Sequence, residues 1–371
     1  MKSNQHLTLQ NVNIYSSTGT GIRISGSQQY TRLFKVNFVR PPYGPNRPIT
    51  TACDALHAQQ SKGFMKIIDC KFEFCGDDCI NVYDSGAFGE KINARTIRAK
   101  VRYATYSELK VGHEIELRNE NFSPTGFSGK LAVDRKTVSG KPGYFDLTLD
   151  KNIPGKVGDL FILYNREYGS DNIIIRDCTF ANNRGRGVLV QGNNFTLEGN
   201  SFFHTKMHAI MIRSGFGREW TEGMGAANIL IKGNRFEQVG IFKIRELFPS
   251  IHIGVFKYKD PSIEKTAYPV FKNILIEKNQ FSDCHGALIY ASSFENLVVK
   301  GNSISRDNKR RKDYNYAGAI GVEYGTGIYV YDNLWKILKN GYIPHPGVFF
   351  ERSTTKGVFC WNNQVIRKAA D

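Results

Sequence analysis

One phrase recurs along this chain and constrains its fold more than any other feature. "KIIDCKF" (66–72) returns as "IIIRDCTF" (173–180), "FTLEGNSF" (195–202), "ILIKGNRF" (229–236), "ILIEKNQF" (274–281) and "LVVKGNSI" (297–304). Fainter copies are "LTLQNVNI" (7–14), "RLFKVNF" (32–38), "YVYDNLW" (329–335) and "CWNNQV" (360–365). Each alternates with the period of a β-strand and places a small or amide residue two positions before an apolar one. Val12, Val36, Cys70, Cys178, Asn200, Asn234, Asn279, Asn302, Asn333 and Asn363 then share one register. The shortest steps are 22, 23 and 24 residues; steps of 30, 31, 34 and 45 residues are the same unit carrying a loop. A β-rich unit of this length, without a leucine-rich signature, is one coil of a solenoid. A second strand follows about twelve residues after each register position, in "GIRI", "DALHA", "DCINV", "RGVLV", "HAIMI", "SIHIG", "GALIY" and "GAIGV". The expected fold is therefore all-β, a right-handed parallel β-helix of about ten coils. Its asparagines are expected to stack from coil to coil as an amide ladder that satisfies buried turn backbone.

One step breaks the period. Cys70 and Cys178 are 108 residues apart, which leaves about 85 residues after one coil is subtracted. The stretch from Ala87 to Tyr168 contains "KINARTIRAKVRYA", "LKVGHEIELRN", "FDLTLDKNIP" and "VGDLFILYN", short alternating strands between Gly, Pro and Asp turns. This reads as an inserted small β-barrel. The expected organisation is β-helix over 1–86, barrel over 87–168 and β-helix again over 169–371.

Composition narrows the function classes. Apolar residues make up 41% of 371, enough for one large core or two modest ones. No run of about 18 apolar residues exists, so no membrane span is expected, and the first twenty residues lack the apolar stretch of a signal peptide. The seven cysteines show no paired zinc spacing and are expected to be structural thiols. The formal net charge of +16 suits nucleic acid, a membrane surface or an anionic polysaccharide, and charge does not separate these. "KRRK" (309–312) has no aromatic interleaving or nucleic-acid motif beside it and reads as a solvated loop, so no nucleic-acid partner is expected.

Against that basic background, one short segment concentrates acids. "DALHA" begins at Asp54 and "GDDCINV" at Gly76. If Val82, Val190 and Ile212 are equivalent, each twelve after its register position, then Asp78, Arg186 and His208 share a column, and the match of "DALHA" to "DCINV" adds Asp54. Neighbouring coils stack about 4.8 Å apart, which places Asp54 and Asp78 side by side on one exposed face with Asp77 adjacent. Like charges so close raise at least one pKa, the condition for a general acid that stays protonated near neutrality. Paired carboxylates with split pKa values are the equipment of glycoside hydrolysis.

"DALH" (54–57), "GDDCINV" (76–82), the inserted barrel, "NNRGRGVLVQG" (182–192) and "WTEG" (220–223) together resemble glycoside hydrolase family 110, over roughly residues 45 to 310. The resemblance implies a β-helical, exo-acting α-1,3-galactosidase, inverting and independent of metal and cofactor. It implies Asp77 as general acid, with Asp54 and Asp78 holding the water, and secretion or a periplasmic location. Arg184, Arg186, Trp220 and Glu222 would line the sugar pocket. His57 and His208 flank the acids, either to hydrogen-bond a sugar hydroxyl or as structural histidines, and Asn81 is a further substrate-binding candidate. Arg184 and Arg186 are expected to alternate on one strand, pairing with an aspartate, gripping substrate, or both. The charge raises the prospect of an anionic galactan.

Three rivals stay open at this stage. A polygalacturonase would need "GHG" and "RIK" accompanying the acids, and "KIR" (243–245) is a poor substitute. A β-helical lyase would need calcium and a basic residue as base. A carbohydrate-binding β-helix would bind without releasing product. The oligomeric state is not encoded in any of these features.

Overall fold

The repeated phrase forms two short strands that meet at the register residue. Ile173–Arg176 and Thr179–Ala181 flank Cys178, Phe195–Glu198 and Ser201–Phe203 flank Asn200, and Phe271–Glu277 and Gln280–Ser282 flank Asn279. The residue before the register position turns the chain: Asp69, Asp177, Gly199, Gly233, Lys278, Gly301, Asp332 and Asn362 all have φ between 49° and 66°. Gly, Asn and Asp tolerate that left-handed conformation best, which is why "GN" and "DC" recur. A third strand closes the coil, as Ile80–Tyr83, Val188–Gln191 and Ile210–Phe216 do. The computed structural model describes residues 1–43, 47–101, 108–217, 221–242, 248–257, 265–306, 319–338 and 347–367.

Successive coils pair in parallel within a 25-stranded sheet. One interior column runs Ile67, Ile175, Leu197, Ile231, Ile276, Val299 and Val330, each paired with the next and fully buried. Two residues past the register position, Phe38, Phe72, Phe180, Phe202, Phe236 and Phe281 stack in order, with ring centroids 4.7 to 5.4 Å apart. The expected amide ladder is present. Asn200 Nδ2 donates to Asn234 Oδ1 at 2.9 Å, Asn234 to Asn279 at 3.0 Å, Asn279 to Asn302 at 3.0 Å, Asn302 to Asn333 at 2.9 Å and Asn333 to Asn363 at 2.9 Å.

The inserted segment folds as seven antiparallel strands between Gly86 and Asn165. Leu131 bridges Leu149, and Ala132 N–H donates to Thr148 O at 2.8 Å, so the first edge turns back on the sheet and closes it toward a barrel. Ile97, Ala99, Ile115, Leu117, Leu131, Leu147 and Leu149 fill its own core. Phe88 and Phe122 instead pack on Phe216, 5.1 and 5.2 Å between centroids, and anchor the barrel to the end of a β-helix strand. No helix occurs among the described residues, so none there is long and apolar enough to cross a membrane.

Candidate active site

The barrel leaves the β-helix just after the acids, and the backbone around them is set by close coil contact. Ala55 N–H donates to Asp78 O at 2.9 Å, Cys79 N–H to Arg186 O at 3.0 Å and Gly187 N–H to His208 O at 3.0 Å. Asp54, Asp78, Arg186 and His208 therefore occupy one column on four successive coils. The glycines of "RGRG" permit this approach: a Cβ on Gly185 would lie 2.5 Å from the Asp77 carbonyl carbon, and one on Gly187 would lie 2.4 Å from Ala209 O. Arg184 and Arg186 sit in the bend before Val188–Gln191 rather than on the strand, with Arg186 N–H donating to the Asp78 side chain instead of a neighbouring backbone carbonyl.

Asp54, Asp77 and Asp78 each bring one carboxylate oxygen within 4.8 Å of the other two. Asp77 is exposed, whereas Asp54 and Asp78 are buried, a departure from the open face expected for all three. The difference follows from their partners. Asp78 Oδ1 accepts from Arg186 Nε at 2.7 Å and from Arg186 N at 3.2 Å. Asp54 Oδ2 meets His57 Nδ1 at 2.6 Å and Asn81 Nδ2 at 3.4 Å. The other nitrogen of His57, Nε2, is 3.1 Å from Tyr83 Oη, so both ring nitrogens are engaged within the protein. Asn81 Oδ1 in turn accepts from Gln191 Nε2 at 3.4 Å.

The electrostatics divide these groups. Partial withdrawal from water, then the charges of Asp78 and Asp54, raise the Asp77 carboxyl to about 6 from an ordinary 3.8. Burial acts against the Arg186 cation, but the three aspartates together outweigh it and hold its pKa above the usual value. His208 is buried, and burial lowers its pKa to about 4. Its Nδ1 lies 2.7 Å from Pro249 O, so in the neutral ring Nδ1 carries the proton and Nε2 is an acceptor. Three carboxylate oxygens in this arrangement could ligate a hard divalent cation or perform acid–base chemistry.

Glu222 reaches the site as a wall. It bridges Ser85 at the start of the barrel and Gly215 at the end of Ile210–Phe216, and its Oε2 is 3.0 Å from Arg213 Nη2. Gly86 N–H donates to Thr221 O at 3.1 Å and Gly223 N–H to Asp84 O at 3.0 Å, which zips the 221–223 segment to the barrel entrance. Arg184 is exposed, with its N–H donating to Cys75 O at 3.0 Å. Trp220 lies outside the described residues, as do 243–245 and 309–312. Tyr83, Gln191 and Arg213 were not singled out in the sequence. They follow Asn81, Leu189 and Met211 by two, a spacing that marks the outward face of each strand.

The family model described as the right handed beta helix region matches residues 166–365. Alpha-1,3-galactosidase B of Akkermansia muciniphila is 25% identical over 305 residues, covering 80% of this chain and 37% of that protein. Alpha-1,3-galactosidase A of Shewanella woodyi is 26% identical over 306 residues, covering 81% of this chain and 48% of that protein. Alpha-1,3-galactosidase A of Bacteroides fragilis is 25% identical over 310 residues, covering 81% and 49% respectively. The chain thus spans about half the length, or less, of these curated relatives.

Proposed function

The chain belongs to the right-handed β-helix family, and within it we propose a glycoside hydrolase that removes terminal α-1,3-linked galactose with inversion. The observation that carries this reading is the convergence of three aspartates, of which Asp77 is raised to about 6 while its two neighbours are braced by other residues. Asp77 gives its proton to the glycosidic oxygen as the bond to the anomeric carbon breaks. Asp54 and Asp78 hold a water on the opposite face, and the proton the water loses passes to one of them. His57 and Asn81 orient Asp54, and Arg186 orients Asp78. Neutral His208 accepts a sugar hydroxyl at Nε2. Glu222, buttressed by Arg213, closes the pocket around the non-reducing end, and Arg184 adds to its lining. That the relatives are named alpha-1,3-galactosidases supports the substrate, a terminal α-1,3-linked galactose. The +16 charge fits a sulfated or otherwise anionic galactan carrying that sugar, and export from the cell would give the enzyme access to such a polymer.

A second reading concerns stereochemistry alone. Oxygens within 4.8 Å of one another are closer to the roughly 5 to 5.5 Å of retaining enzymes than to the roughly 6.5 to 9.5 Å of inverting ones. Inversion then requires substrate to enter between Asp77 and the other pair. Proton NMR of galactose released from an α-1,3-linked disaccharide distinguishes the two: β-galactose appearing first supports inversion, and α-galactose first assigns a retaining mechanism. No galactose release from any α-galactoside overturns the hydrolase reading.

A further inference from the structure

Beyond the acids, the outward face of the same sheet carries a buried imidazole that nothing in the proposed chemistry uses. His57, Asn81, Leu189, Met211 and His252 pair in sequence from coil to coil, so His252 belongs to the column that holds Asp54 in place. It stands three coils beyond Asn81, about 14 Å at about 4.8 Å per coil, and borders His208, ring centroids 4.9 Å apart, on the side away from the aspartates. Its neighbours Ile251 and Ile253 point into the core, so its own side chain faces outward. Yet it is only 4% exposed.

Nδ1 of His252 is buried with no hydrogen-bond partner among the described residues. Burial, and then neighbouring His208, hold its pKa well below the ordinary value, so the ring is neutral. A neutral imidazole presents one donor and one acceptor, and leaving the buried Nδ1 unmet costs about 1 to 3 kcal/mol. Space in front of Nε2 comes from Gly254: a Cβ there would lie 3.2 Å from His252 Nε2 and 3.3 Å from Ser292 Oγ. The partly exposed Phe256 ring stands 5.8 Å away. The charged groups around this space are already paired. Arg213 holds Glu222 at 3.0 Å, and Glu323 takes Lys265 at 2.6 Å and the Tyr290 hydroxyl. A donor, an acceptor, an aromatic face and internally neutralised charge suit an uncharged, hydroxyl-bearing ring.

We propose that His252, Gly254 and Phe256 form a second sugar subsite that takes a neutral pyranose of the substrate beyond the galactose held at the aspartates. This rests on the hydrolase reading and deepens it. The test is calorimetric titration of galactose and of α-1,3-linked galactotriose into full-length Asp77→Asn protein, chosen because its turnover is expected to be slow, and into the same protein carrying His252→Ala or Gly254→Ala. The expected result is triose binding weakened about tenfold by either substitution, with galactose binding changed less than twofold, and partial recovery of triose binding in His252→Gln. Equal triose affinity with and without His252 means that the ring holds a water only and overturns the subsite. Parallel losses for both sugars make the effect structural and overturn it as well. A parent that binds galactose but gains nothing from the longer sugar overturns the subsite and leaves the hydrolase reading standing; a parent that binds neither overturns both.

Discussion

Asp77 and Asp54 solve different problems with the same side chain. Asp77 is held near 6 because protonation relieves first its partial withdrawal from water and then its crowding by Asp78 and Asp54, and the proton is therefore bound more tightly in the folded protein than at the ordinary 3.8. Its contribution to stability is fully present below pH 3.8 and is lost as pH rises through about 6. Asp77→Asn is expected to lower kcat by about 10²- to 10⁴-fold, and to abolish a fall in kcat/KM that wild-type protein shows near pH 6. The same variant should unfold at higher denaturant than wild type at pH 8 and at equal denaturant at pH 3. Wild-type turnover by the variant would remove Asp77 from the reaction. Asp54 depends on His57, whose ring spans from Asp54 at 2.6 Å to Tyr83 at 3.1 Å. His57→Phe should lower kcat about 10- to 100-fold through misplacement of Asp54 with KM nearly unchanged; a rise in KM at constant kcat would instead make His57 a sugar contact. The acids were legible because a column can be counted from a period. The reach of His57 to Tyr83 and of Arg213 to Glu222 was not, because it depends on which side chains from neighbouring coils and loops meet.

At the scale of the element, the register residue carries more of the fold than its small size implies. Asn279 Oδ1 accepts from Asn234 N at 2.9 Å and from Asn234 Nδ2 at 3.0 Å, while its Nδ2 donates to Ile231 O and Asn302 Oδ1, each at 3.0 Å. Asn279→Ala strands several buried groups at about 1 to 3 kcal/mol each, so a loss of at least about 3 kcal/mol is expected in denaturant titration. Asn363→Ala, at the partly exposed end of the ladder, should cost less than half as much. Equal losses would show that the ladder does not act as a buried network. This ladder could be read from sequence, since the amide repeats at one position. A second one could not. Asn172, Asn194, Asn228, Asn273 and Asn296 sit with φ between 54° and 62° on an outer turn, and each after Asn172 donates Nδ2 to Oδ1 of the preceding member at 2.9 to 3.1 Å. Its signal was the asparagine just before the strand phrase, hidden because His6, Tyr30 and Phe64 fill the equivalent turns of earlier coils, where they stack as rings instead.

For the whole molecule, the interruption by the barrel matters as much as the repeat. A bare β-helix face is an open groove along which a polymer can lie anywhere. Here the chain leaves the solenoid just after Asp84 and returns at Ser170, whose N and Oγ both donate to Asp84 at 2.8 Å, so the barrel is clamped at its base beside the acids. Glu222 then joins Ser85 to Gly215, which ties the start of the barrel to the end of the Ile210–Phe216 strand. The proposed release of terminal galactose requires that these joined segments block the groove at one side of Asp77, so that substrate enters end-on with its terminal sugar at the acids and its remaining sugars toward His252. The excess length at 87–168 and between Asn200 and Asn234 was legible in the sequence, but the Glu222 bridge was not, because it is a backbone pairing between segments more than a hundred residues apart. The consequence is a product pattern. A time course on a reduced α-1,3-linked galacto-oligosaccharide should yield galactose alone from the earliest points, with each shortened chain appearing only after the longer one. Early internal fragments would mean that the groove is open past the acids. Glu222→Ala, which removes the Arg213 partner but leaves the backbone bridge, should keep that order while slowing release; an order that changes to internal cleavage would show that the Glu222 side chain, rather than the joined walls, makes the pocket.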